Sequence, residues 1–134
     1  MIAYNEEESR DHAAQGRAFL ERSREYLSAS DLHQASEKGW GAAAHMAKAV
    51  ALAQDWQYTR HSHFHRIMNR AGRLSVSARL PYLHGRAEIL HVNYYELRDD
   101  LDAEQISRDL ESVAEMLNIL DPLTGMQSGN SACN

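Results

Sequence analysis

The segment "LHQASEKGWGAAAHMAKAVALAQ", residues 32–54, limits the folds open to this chain more than any other stretch. Leu32, Ala35, Gly39, Ala42, Met46, Val50 and Ala53 recur at helical spacing on one face, and Trp40, Ala44, Ala47 and Ala51 follow a second. A helix with one apolar stripe sits at the edge of a domain, whereas one that is apolar on two sides has to be surrounded by others. Gly39 and Gly41 would each cost roughly 1 kcal/mol against alanine in an exposed helix, so close packing is expected to offset them.

The remaining sequence supplies the surrounding helices. Only two prolines interrupt it, and alanine, leucine, arginine and glutamate outnumber β-branched residues, which favours helix throughout. A first helix is predicted over about residues 6–27. "SASDLHQ" ends it and opens the second, with Asp31 as N-cap and Gln34 completing a capping box. "DWQYT" closes the second helix, and a third starts near His61 with Phe64, Ile67, Met68, Ala71 and Leu74 as its core stripe. Pro81 marks the end of that helix or a kink, because proline disfavours helical geometry in the residue before it. A fourth helix carries Ala87, Leu90, Tyr94, Leu97 and Leu101, and a fifth, capped by Asp100 or Asp102, carries Ile106, Leu110, Val113, Leu117 and Leu120. The expectation is an all-α, antiparallel up-and-down bundle of four to five helices. Its single domain covers residues 1–120, and the small, polar residues 121–134 form a flexible tail.

The net charge of −5 argues against bulk attraction to nucleic acid. The acidic excess lies at the two ends, however, and Arg60, Arg66, Arg70, Arg73, Arg79 and Arg86 form a basic middle. The lone cysteine, Cys133, excludes an intrachain disulfide framework. No apolar run is long enough for a membrane span, and the acidic N-terminus does not read as a leader, so a soluble cytoplasmic protein with no membrane partner is expected. Phosphate loops, nucleophile elbows and dinucleotide fingerprints are missing from the sequence, and no cofactor is expected.

"TRHSHFHR", residues 59–66, concentrates three histidines between two arginines. On a helix from Thr59, His63 turns toward the core, His61 lies at the margin and His65 faces solvent. His61 and His65 have the i, i+4 spacing of two metal ligands, but neither an HExxH motif nor a cysteine pair accompanies them, and no native metal site is expected. Glu37 and Lys38 could line a polar pocket, with Trp40 beside them as core filler or dimer anchor.

"QASEKGWGAAAHMAKAVALAQDW", together with "AEILHVNYYEL" ahead of an acidic amphipathic helix, resembles the archaeal paREP family and its bacterial relatives in the HEPN superfamily. The resemblance covers about residues 19–120. It implies an HEPN-like bundle, commonly a homodimer. Many HEPN domains are metal-independent ribonucleases with an Arg, four to six residues and then a His, often with a polar residue just after the Arg. Others act as binding or antitoxin-type partners beside a nucleotidyltransferase.

Three such spacings occur here, Arg60 to His65, Arg79 to His84 and Arg86 to His91, where about two are expected by chance. Arg60 is followed by polar His61 but starts the third helix. Arg86 starts the fourth, where the motif usually sits, but is followed by Ala87. In such a site the arginine would stabilise charge on phosphate oxygens, the histidine would move protons, and Asn93 or Tyr94 could add a hydrogen bond. The leading expectation is a binding module for nucleotide, RNA or a partner protein, using the Arg-rich middle with His63 and Arg66. The alternatives are a ribonuclease using Arg86 with His91 or Arg60 with His65, and a purely structural homodimeric module.

Overall fold

A computed structural model of the protein describes residues 2–125. Five helices follow one another, α1 (Ile2–Ser28), α2 (Leu32–Gln54), α3 (Ser62–Ser75), α4 (Leu80–Tyr95) and α5 (Ala103–Leu120), and a 3-10 turn spans Asp121–Leu123. No strand occurs among the described residues, so the fold is an all-α bundle. None of its helices is long and apolar enough to cross a membrane.

α2 is the central helix that its two apolar faces require. It packs against α1, α3, α4 and α5, and Ala35, Gly39, Ala42, Ala43, Met46, Ala47, Val50 and Ala51 are all buried on it. Gly39 shows how close the packing is: a Cβ there would lie 2.6 Å from Leu110 Cδ2 and 3.0 Å from Leu90 Cδ1. The side chain of Asp31 accepts the Gln34 N–H at 3.2 Å and starts α2 as predicted. At the other end Asp55 turns left-handed (φ 61°) and its N–H donates back to Leu52.

Three main expectations change, besides Leu74, which is 53 % exposed instead of in the core stripe, and Arg86, which lies midway along α4 and not at its start. Pro81 neither ends nor kinks the third helix. α3 stops at Ser75, with Val76 left-handed after it, and Pro81 sits in the first turn of α4, where its missing N–H has no helical acceptor to lose. The fourth helix ends at Tyr95, so Leu97 (φ 50°, 67 % exposed) and Leu101 fall outside it. The "RDD" that follows favours solvent over a helical face, and Arg98 clamps Asp100 there at 2.8 Å.

The third change concerns residues 121–125, which pack onto the bundle rather than opening a tail. Thr124 is buried, and the Gly125 N–H donates to Ser9 Oγ at 2.8 Å while that hydroxyl donates to Ala49 O at 2.7 Å. Residues 126–134, including Cys133, lie outside the described part of the chain.

Candidate functional site

The start of α3 meets the middle of α4 in a cluster of imidazoles around one carboxylate. His61 and His65, one turn apart, direct their Nε2 atoms at Glu88, 3.2 Å from Oε1 and 2.7 Å from Oε2 respectively. His65 Nδ1 lies 3.3 Å from His84 Nε2, one turn before Glu88 on α4. His91, one turn after Glu88, stacks on His61 with centroids 5.0 Å apart. Trp40 of α2 packs against both His61 and His91, and Phe64 stands beside His65 and His84.

Each ring is thus held by an aromatic neighbour on a packed helix. Burial holds the proton affinities of His84 and His91 below the ordinary histidine value, and the neighbouring His65 and His61 act in the same direction. Burial, then the Glu88 charge, pushes the Tyr58 hydroxyl up to about 12. His61, His65 and Glu88 are the described residues placed to hold a metal ion, with one ligand atom of each within 4.8 Å of the others.

The second feature is electrostatic. Eight arginines (Arg10, Arg17, Arg22, Arg24, Arg79, Arg86, Arg98 and Arg108) are each paired with a carboxylate. The other four, Arg60, Arg66, Arg70 and Arg73, have no such partner among the described residues, and all four are exposed. At about 100° per residue, Arg66, Arg70 and Arg73 form one stripe along α3, about a third of a turn from His61 and His65. The guanidinium of Arg70 lies over the Trp56 ring at 4.3 Å. Trp56 in turn lines a half-open cavity of about 230 Å³ with Glu8, His12, Lys48 and Tyr58.

The model of the archaeal PaREP1/PaREP8 family matches residues 11–117. The chain belongs to this family. No curated protein and no solved structure matches it.

In this PaREP1/PaREP8 chain the arginine and histidine pairs read from the sequence go to separate partners. Arg86 Nε donates to the buried Asp109 of α5 at 2.7 Å, whereas His91 turns to His61 and Trp40. Arg79 is bound to Glu115, and His84 to the histidine cluster. Arg60 is exposed and unpaired, while His65 faces Glu88.

His63 is buried, and its Nδ1 accepts the Thr59 N–H at 3.0 Å, which makes it a packing residue at the start of α3 rather than part of an open face. Burial, then Arg66 and Arg60, lowers its proton affinity. Tyr95, not Asn93 or Tyr94, approaches His91, with ring centroids 5.8 Å apart. Asn93 instead lines a shallow hollow with Ile89, Asp102 and Gln105. Lys38 pairs with Glu37 and lies over Phe19, whereas Trp40 joins the histidine cluster.

Glu88 was missed. Its i, i+4 distance from His84 and i, i+3 distance from His91 were visible in "HGRAEILH", but only the packing of α4 on α3 gives that face a partner.

Proposed function

We propose that this family member binds single-stranded RNA along the exposed side of α3. The observation that carries the proposal is the segregation of unpaired arginines: in a chain of net charge −5, the four guanidinium groups without a carboxylate partner among the described residues all belong to residues 60–73. A paired guanidinium already has its charge compensated. An unpaired, exposed one is free to replace the counterions of a phosphate backbone. The stripe of Arg66, Arg70 and Arg73 suits successive phosphates, and Trp56 holds the Arg70 guanidinium over its ring in that stripe.

Lys48, another cation without a carboxylate partner among the described residues, extends the positive surface into the cavity beside Trp56 and Tyr58. The geometry favours binding over cleavage, since Arg86 and His91 diverge within one copy.

The test is fluorescence anisotropy of a labelled oligoribonucleotide at about 50 mM salt. The substitutions Arg66→Ala, Arg70→Ala and Arg73→Ala are each expected to weaken binding severalfold, by about 1 kcal/mol for a phosphate contact of an exposed charge. Arg79→Ala, which removes a guanidinium already held by Glu115, is expected to leave affinity unchanged. Wild-type protein that does not bind, or a triple arginine variant that binds as well as wild type, would refute the proposal.

A further inference from the structure

Two imidazoles one turn apart on α3 and a carboxylate from α4 converge at the junction of the helices. We propose that His61 Nε2, His65 Nε2 and the Glu88 carboxylate bind a divalent transition-metal ion of the zinc class. This site is separate from the arginine stripe.

Donor spacing is the first support. Around a tetrahedral zinc ion with bonds of about 2.0–2.2 Å, neighbouring ligand atoms stand about 3.3 Å apart. The Glu88 oxygens already lie 3.2 Å from His61 Nε2 and 2.7 Å from His65 Nε2. Small rotations of the side chains would open room for the ion.

The second support is an unsatisfied atom. Glu88 Oε2 is buried and has no hydrogen-bond partner, although His65 Nε2 lies 2.7 Å away; the ring N–H makes no hydrogen bond across that contact. Ordinary ion pairing would align that proton, since a buried carboxylate oxygen left without a hydrogen bond is unfavourable. A cation between the two groups satisfies both lone pairs at once.

The third support is the surrounding shell. With Nε2 on a metal, His65 carries its proton on Nδ1, which lies 3.3 Å from His84 Nε2 and can donate to it. An acceptor on the far nitrogen of a ligating histidine fixes its tautomer and ring orientation. Trp40 against His61 and Phe64 against His65 hold the rings from the core side.

The donor set selects the class of ion. Two imidazole nitrogens with one carboxylate suit zinc, cobalt, nickel or copper, and are a poor match for magnesium or calcium, which prefer all-oxygen sites. The side chains of His61 and His65 are 48 % and 51 % exposed, so a fourth position opens to solvent. Three protein ligands and an open position present a bound water or an outside ligand to the surface, unlike a closed four-ligand structural site.

The test uses the untagged full-length chain. Calorimetric titration with Zn²⁺ is expected to show one ion per chain, and Co²⁺ to develop the visible absorption of a four- or five-coordinate site. Mg²⁺ in large excess should not displace either ion. Glu88→Gln, which preserves shape, and His65→Ala should each weaken Zn²⁺ binding by roughly tenfold or more, and His84→Ala by about tenfold through lost orientation of His65. His45→Ala, in the separate His12 pair, should leave it unchanged, with circular dichroism confirming helix content in every variant. Absence of stoichiometric Zn²⁺ binding, or binding unchanged by both Glu88→Gln and His65→Ala, overturns the assignment. RNA binding measured in EDTA reports on the arginine stripe alone, so either proposal can fail without the other.

Discussion

His12 on α1 and His45 on α2 place their Nδ1 atoms 3.0 Å apart, so one ring has to donate and the other accept. The accepting ring cannot take up a second proton without breaking that contact, because its free nitrogen is the one engaged in it. Burial is the main cause that lowers the proton affinity of each. Lys48 adds to it for His12, against the opposing pull of Glu8 and Asp11; His12 and then Lys48 add to it for His45. In the unfolded chain both would titrate near their ordinary value of 6.5. The unfolded state therefore binds more protons once pH falls below that value. The stability contributed by the pair is fully present above it and is lost as pH drops through 6.5 toward the lower native values. Thermal midpoints measured from about pH 7 down to about pH 5 should fall, and His45→Gln should flatten the dependence. If His45→Gln and wild type trace parallel curves, the pair does not hold its proton as described. None of this was legible in the sequence, because His12 and His45 are far apart in the chain and meet only once α1 folds back on α2. Glu88 was hidden for the same reason, with its histidine partners on another helix.

At the scale of the element, two glycines in similar helical sequence have opposite meanings. Gly39, midway along α2, faces Leu110 and Leu90, whose side chains are themselves fully buried and cannot swing aside. Gly39→Ala gains about 1 kcal/mol in helix propensity but incurs overpacking of about 1–3 kcal/mol, so a net loss of stability by about 1 kcal/mol is expected. Gly85, within α4, has nothing within 4 Å of where a Cβ would stand. Gly85→Ala should stabilise the protein by up to about 1 kcal/mol, because only the propensity gain remains. Urea unfolding of the two variants distinguishes them by sign, and a Gly39→Ala variant more stable than wild type would mean that the α2, α4 and α5 contact is looser than it looks. The doubly apolar pattern of α2 was enough to place that helix at the centre and to demand such a contact. It could not say which neighbour each glycine meets. Helix ends were legible where a side chain makes the cap, as at Asp31 and Asp102. They were illegible at Tyr95, where apolar spacing continues through Leu97 and Leu101 although the backbone has already left the helix.

For the whole molecule, net charge and charge distribution point in different directions. A count of −5 predicts repulsion from a polyanion at long range, but exposed charges farther apart than about 10 Å are screened from one another at roughly 0.1 M salt. What a bound strand experiences is the local surface, and around α3 that surface holds four unpaired guanidinium groups. The sequence already showed that arginines crowd the middle of the chain. It could not show that Arg79 and Arg86 are neutralised by Glu115 and Asp109, both on α5, leaving the residues before and within α3 as the positive face. If four phosphates are neutralised in a single-stranded complex, the logarithm of the binding constant should fall with the logarithm of salt concentration at a slope of about −3. Removing Arg66 should reduce that slope by somewhat less than one, whereas removing Arg79 should leave it alone. A wild-type slope near zero would mean that RNA, if held at all, is held by stacking and not by the arginines. A slope that falls equally for Arg66→Ala and Arg79→Ala would mean that the Glu115 pair opens on binding and that the contact surface extends from α3 to the start of α4.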